Sequence, residues 1–285
     1  MAIFTNSATL SYNGTVLTSN VTTGELIESV TATKTAVRAN YGPNENVTYI
    51  ITVNNAGTNT VSDLTLTDDL GGYPFGEGTT LYPLTYVDGS VKYYIDGVLQ
   101  PAPTVTPGPP AVFSGISVPG GGSVMLVYDT AVNSFAPLNT DGSIVNTVTA
   151  TGDALTEPVT AAETVTPAAA PDLTISKSLS PTTVTESGTI TYPFLIQNFG
   201  NTEATADDDL VLTDTFTPRL ENLAVTLNGA PLAAPANYTY GAANGTFSTL
   251  PGQITVPAAT YTQDPDTGSW IVNPGVTTVT ITGTI

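Results

Sequence analysis

The chain has 285 residues, 40% of them hydrophobic, which is enough for two domains with cores of ordinary size. Cysteine and histidine are absent, which excludes disulfide staples, thiolate nucleophiles and imidazole bases or metal ligands. Five lysines and arginines against 24 acids give a net charge of −19, which argues against the cationic patches that nucleic acid and anionic membranes require.

The first predicted elements are two strands. Phe4-Thr5-Asn6-Ser7-Ala8-Thr9-Leu10-Ser11-Tyr12 alternates with period two and ends at Asn13-Gly14, a hairpin dipeptide. A second Thr/Val run follows from Val16 to Thr23. Residues 1–28 are assigned to this N-terminal segment. Residues 1–25 lack a basic start, a long apolar core and a small-residue cleavage site, so no signal peptide is expected. No stretch reaches the apolar length of a membrane span.

Residues 29–167 read as a complete β-sandwich. Thr, Val, Ile and Tyr dominate, and Asp88-Gly89, Asp96-Gly97 and Asp141-Gly142 mark further turns. It closes on Ile144-Val145-Asn146-Thr147-Val148-Thr149-Ala150-Thr151-Gly152 and a second run, Val159 to Thr166. This closing pair resembles the N-terminal pair, with Asn6 at the position of Asn146.

After the stiff spacer Pro167-Ala168-Ala169-Ala170-Pro171, residues 168–285 repeat the sandwich. Thr33-Lys34-Thr35-Ala36 matches Ser176-Lys177-Ser178-Leu179. Val47-Thr48-Tyr49-Ile50 matches Ile190-Thr191-Tyr192-Pro193, and Asn54-Asn55-Ala56-Gly57 matches Gln197-Asn198-Phe199-Gly200. Leu64-Thr65-Leu66-Thr67-Asp68 matches Leu210-Val211-Leu212-Thr213-Asp214, with Asn228-Gly229 as a later turn. The second repeat reaches Ile285 without its last two strands. The expected architecture is all-β: two tandem immunoglobulin-like sandwiches, the second completed by the N-terminal hairpin of another copy.

Thr-Lys near the start, Val-Thr-Tyr-x-Ile-x-Val-x-Asn-x-Gly, Leu-x-Leu-x-Asp and a closing Asn-Thr-Val-Thr-Ala together resemble the bacterial conserved-repeat Ig-like domain of unknown function. The resemblance covers residues 30–166 fully and 172–285 without the last two strands. The two-domain form resembles the ribbon-appendage proteins of clostridial endospores. It implies an extracellular appendage or spore-surface location, with other spore or cell-surface proteins as further partners.

Strand parity gives the candidate site. Val30, Ala32, Lys34 and Ala36 share a face, as do Leu64, Leu66 and Asp68, and Ile144, Asn146, Val148 and Ala150. The second repeat places Lys177 beside Leu173 and Ile175, and Asp214 beside Leu210 and Leu212. Lys, Asp and Asn on core faces are unusual, because an unpaired buried charge is very costly. One reading is a buried ion pair with an asparagine hydrogen bond, retained for register. The other is an autocatalytic isopeptide bond between Lys34 and Asn146 assisted by Asp68, for which burial supplies the needed pKa shifts. Internal isopeptides in Gram-positive Ig-like surface domains share this layout. In the second repeat the set is Lys177, Asp214 and Asn6 of a neighbouring copy.

The remaining motifs read as structural. Asp207-Asp208-Asp209 lacks the spacing of a calcium loop. Asp264, Asp266 and Gly268 form a turn, and Tyr82, Tyr86, Tyr93 and Tyr94 pack across strands. No cofactor, metal or external enzymatic substrate is expected. The expected function is a self-assembling filament subunit, a homopolymer joined head to tail by strand donation. The polymer interface would comprise Phe4, Asn6, Ala8, Leu10, Tyr12, Val16 and Val21 against Val279, Ile281 and Ile285. Gly24–Ser29 spans at most about 20 Å, too short for self-insertion along a sandwich in an end-to-end tandem. The alternative is an adhesin that binds through the insertions Gly71–Leu81 and Pro101–Pro110.

Overall fold

The computed structural model describes residues 2–26 and 30–285. Among them the only helical element is one 3-10 turn, Ala206–Asp208; all other regular structure is β. Two compact units form: residues 1–39, 44–133 and 145–165, and residues 40–43, 134–144 and 166–285.

Unit 1 is a two-sheet sandwich. One sheet runs in the order Val98–Gln100, Lys92–Ile95, Ser123–Val132, Asn46–Asn55, Val30–Ala36. The other runs Thr104–Thr106, Ala111–Val118, Val61–Asp68, Ile144–Thr151, Val159–Pro167. The period-two pattern becomes alternating burial: Val47, Tyr49, Ile51 and Val53 face inward with no exposed surface, and the Thr residues between them look outward. Phe113 and Tyr128, from opposite sheets, close the core at 5.1 Å between ring centroids.

The turn dipeptides divide by geometry. Asn13-Gly14, Asp96-Gly97 and Asn228-Gly229 hold both residues at positive φ, as the tightest hairpin turn requires. At Asp88-Gly89 only the glycine does so, and at Asp141-Gly142 neither residue does.

Unit 2 has the same first sheet: Leu173–Lys177, Thr189–Asn198, Gly275–Thr284, Glu221–Leu227, Ala230–Leu232. Its second sheet has three strands, Thr213–Thr215, Thr246–Thr249 and Tyr238–Gly241. Thr213–Thr215 pairs with Thr246–Thr249 on one side. On its other side, where Ile144–Thr151 lies in unit 1, no strand pairs with it among the described residues.

Residues 2–26 form one long hairpin. Ala2–Asn6 pairs with Thr22–Leu26, and Thr9–Tyr12 pairs with Thr15–Thr18. Between these ladders Ser7 and Ala8 stand against Ser19, Asn20 and Val21, a one-residue bulge. All side chains from Phe4 to Thr23 are exposed.

Candidate functional site

In unit 1 the first strand delivers Lys34 and the Val61–Asp68 strand delivers Asp68, both with side chains fully removed from solvent. Lys34 Nζ donates to Asp68 Oδ2 at 2.5 Å. The Tyr128 hydroxyl donates to the same oxygen, and the Leu70 N–H donates to Oδ1 at 3.0 Å. Asp68 thus receives three donors, while the Lys34 ammonium lies 4.9 Å from the Tyr49 ring centroid. Burial pushes the Lys34 pKa below its usual 10.5, with Asp68 opposing that shift. Burial also pushes the Tyr128 hydroxyl well above its usual value, and the Asp68 charge adds to the shift.

Asn146 completes the set. On the Ile144–Thr151 strand Val148 stands opposite Asp68, and Asn146 lies two residues before Val148 on the same inward face. Its side chain is fully buried and bears on the Tyr128 hydroxyl, opposing that group's upward shift, while neither amide atom makes a hydrogen bond of good geometry. Most buried polar groups are well paired, so an amide with only this weak contact at a fully buried position is an unusual placement. Lysine, carboxyl and carboxamide are the three groups that amide exchange between side chains requires.

Unit 2 repeats two of the three groups. Lys177 Nζ donates to Asp214 Oδ2 at 2.5 Å, but these side chains retain 39% and 17% of their exposure. The apolar residues on the same strand are open as well, Leu173 at 38% and Ile175 at 57%, whereas Val30 in unit 1 is at 3%. Both differences trace to one position. In unit 1 the Ile144–Thr151 and Val159–Pro167 strands cover this region, and Glu163 of the latter acts on Lys34. In unit 2 a groove of about 200 Å³ occupies the place, lined by Leu173, Ile175, Ile196, Leu210, Leu212 and Ile254. The backbone records the same difference. Asp69 N–H donates to Thr147 O across the unit 1 ladder, whereas Thr215 N–H turns to Asp214 Oδ1.

The hairpin presents Phe4, Leu10, Tyr12, Val16 and Val21 at 60–70% exposure. Its register separates two of the sequence-predicted residues. Leu17 stands opposite Leu10 and shares its face, whereas Val16 stands opposite Ser11 on the other face. Val21 falls in the bulge. At the other proposed side of the interface, Val279 and Ile281 are core residues with no exposed surface, in a strand hydrogen-bonded on both edges. Ile285 packs against that core. These three therefore do not form a free edge; among the described residues the free edge is that of Thr213–Thr215.

The sequence also held two pins that parity reasoning passed over. Asn55 bonds Asn59 O and Val118 O and accepts from Gly57 N–H. Asn198 bonds Thr202 O and Pro257 O and accepts from Gly200 N–H. Their place in matched Asn-x-Gly segments was the available signal. Asp207 and Asp208 lie in the 3-10 turn, where the Asp208 carboxylate accepts from Thr205 N–H, and Asp209 is its C-cap; no group of three or more carboxylates among the described residues could hold a metal. Tyr86 and Tyr93 are buried, and Tyr86 packs on Phe113. The insertions at residues 71–81 and 101–110 contain short strands, Tyr73–Phe75, Thr79–Leu81 and Thr104–Thr106. No helix among the described residues is long and apolar enough to cross a membrane.

No family model matches the chain, and no curated protein matches it. Solved structures similar to it include the major pilin subunit of Bacillus cereus, at 13% identity and a TM-score of 0.36, covering 96% of this chain and 73% of the pilin. The pilus backbone of Streptococcus pneumoniae is similar at 14% identity and a TM-score of 0.33, covering 86% of this chain and 55% of that one. A collagen-binding domain from a Staphylococcus aureus adhesin is similar over 50% of this chain and 99% of its own, at 13% identity and a TM-score of 0.30.

Proposed function

We propose that the chain is the repeating subunit of a surface filament, in which the hairpin of residues 2–26 is donated to unit 2 of the next copy. The observation that carries this is the vacant strand position beside Thr213–Thr215, together with an exposed hairpin whose sequence copies the strands that fill that position in unit 1. An exposed edge over an open apolar groove is a template for another strand. Donation from a neighbour is β-augmentation, and a heterologous contact of this kind builds an open fibre.

The donated strand brings Asn6 to Lys177 and Asp214, as Asn146 stands to Lys34 and Asp68. A covalent link follows from that chemistry. Proton transfer from the lysine ammonium to the carboxylate gives a neutral amine and a carboxylic acid, a step favoured by burial. The amine nitrogen attacks the asparagine Cγ, the new C–N bond forms, and the old one breaks. The side-chain nitrogen, which already bears two hydrogens, leaves as ammonia with the one proton that the attacking amine gives up, relayed through the carboxyl. The exchange is redox-neutral and needs no cofactor. In unit 1 it closes within one chain; in unit 2 it welds two.

Deleting residues 1–26 tests the assembly. Filaments vanish by electron microscopy, while unit 1 unfolds as in the full chain. Filaments that persist without the hairpin overturn donation. Boiled denaturing gels with intact-mass analysis test the weld: ladders, each link one ammonia lighter, are lost on Lys177→Ala or Asn6→Ala. A monomer band of unmodified mass from verified filaments leaves the hydrogen-bonded form of the site.

A further inference from the structure

The closing strand of unit 1 and the outer strand of the hairpin share an asparagine but differ in side-chain size along the same face. One reads Asn146, Val148, Ala150, Gly152; the other reads Asn6, Ala8, Leu10, Tyr12. The first profile shrinks away from the asparagine, and the second grows.

The two acceptors differ in the matching sense. In unit 1 Val148 stands opposite Asp68 and Ala150 opposite Leu66. A Cβ added at Gly152 would lie 2.7 Å from Leu64 Cδ2, so a side chain there displaces Leu64. Carried through the repeat, Ala8 falls opposite Asp214, Leu10 opposite Leu212, and Tyr12 at Leu210. Beside Asp214 the space holds aromatic rings. Lys177 Nζ lies 5.3 Å from Phe194 and 5.2 Å from Phe216, at the positions of Ile51 and Leu70 in unit 1. A small residue suits that end. Leu210 and Leu212 instead line the open groove, where a leucine and a tyrosine have somewhere to go.

We propose that this size profile selects the acceptor: Ala8, Leu10 and Tyr12, with Leu17 beside Leu10, fit unit 2 of a second copy and exclude the hairpin from the closing position of unit 1. The inference rests on the donation reading. Both halves of a specificity device are present. Tyr12 at the Gly152 position overpacks against Leu64, and the Ala150-Gly152 pattern in unit 2 leaves the groove empty. The subunit can therefore carry a hairpin that copies its own closing strand without displacing that strand.

The experiment compares three full-length chains by sedimentation: wild type, Leu10→Ala/Tyr12→Gly, and Ala8→Leu/Leu10→Ala. The third keeps the apolar residues and inverts their order. The changes lie on the exposed hairpin, and unchanged unfolding of both units confirms that the sandwiches are intact. The expected result is a concentration threshold for assembly at least about a hundredfold higher for the first variant. The threshold for the inverted variant is at least about tenfold higher. An inverted variant that assembles like wild type, alongside a normal wild-type fibre, overturns the size profile and leaves donation standing. A wild-type chain that does not assemble at any concentration overturns donation and the profile with it.

Discussion

Lys34 and Lys177 hold their carboxylates at the same 2.5 Å, yet one pair is sealed and the other is open to water. The strands that carry the lysines are paired alike, whereas Asp68 ends the eight-residue Val61–Asp68 and Asp214 sits in the three-residue Thr213–Thr215. The difference that bears on the lysines is a hairpin position, filled in unit 1 and vacant in unit 2. The comparison teaches that burial here is conferred by the closing strand rather than by the residues themselves. A pair covered as in unit 1 loses the water that screens its counterpart in unit 2.

The largest way to break the comparison is to remove each lysine. Lys34→Ala leaves Asp68 buried without its cation, a loss of about 3–5 kcal/mol in the stability of unit 1. Lys177→Ala in the unassembled chain costs less than about 1 kcal/mol, because solvent already screens the pair. Urea unfolding reads both, with Trp270, the only tryptophan, reporting on unit 2. Equal losses would mean that the vacant position does not set the environment.

A finer test uses pH in Asn146→Ala, where no covalent link can form in unit 1. Burial lowers the folded Lys34 pKa below 10.5, so in the window between the two values the unfolded chain binds more protons than the folded one. Stability of unit 1 therefore rises with pH up to about the lysine value. Tyr128 acts in the opposite direction above its usual 10.0, where its raised folded pKa costs stability as the unfolded tyrosine ionises. The added Lys177→Ala change leaves this profile in place; a profile that flattens with it would assign the titration to the open pair instead.

The smallest expected effect concerns encounter between copies. The net charge of −19 makes subunits repel, while residues 1–26 carry one acid, Glu25, and no base. Raising salt from about 10 to 150 mM shortens the Debye length to about 8 Å and speeds assembly, by roughly tenfold or less. Stopped-flow light scattering measures it, and a rate that falls with salt would point to attraction between unlike patches instead.

Much of this was legible in residue order. Period-two alternation placed Lys34, Asp68 and Asn146 on inward faces, because a strand has only two sides and the apolar neighbours name one of them. Tyr128 was not read, although Val124, Leu126 and Tyr128 alternate on one face. Its hydroxyl meets Asp68 across the two sheets, and contacts between sheets leave no trace in spacing along one strand. Val16 and Leu17 are separable only once the register is known, since the length of the turn at Asn13-Gly14 decides which residue faces Leu10. The sequence reading places Val279 and Ile281 at the polymer interface. Pairing on both sides of their strand puts them in the middle of a sheet instead.

The clamp in unit 1 has a mechanical meaning. The chain enters that sandwich along Val30–Ala36, and Lys34 is the fifth residue of the strand. Asp68 and Asn146 belong to the two adjacent strands of the opposite sheet. Tension applied at Val30 therefore reaches a cross-tie within one strand length and passes into the second layer, sparing the remaining ladders from shear. A sandwich tied in this way stretches little under load until the tie itself gives, and the tie is the fully buried Lys34–Asp68 ion pair.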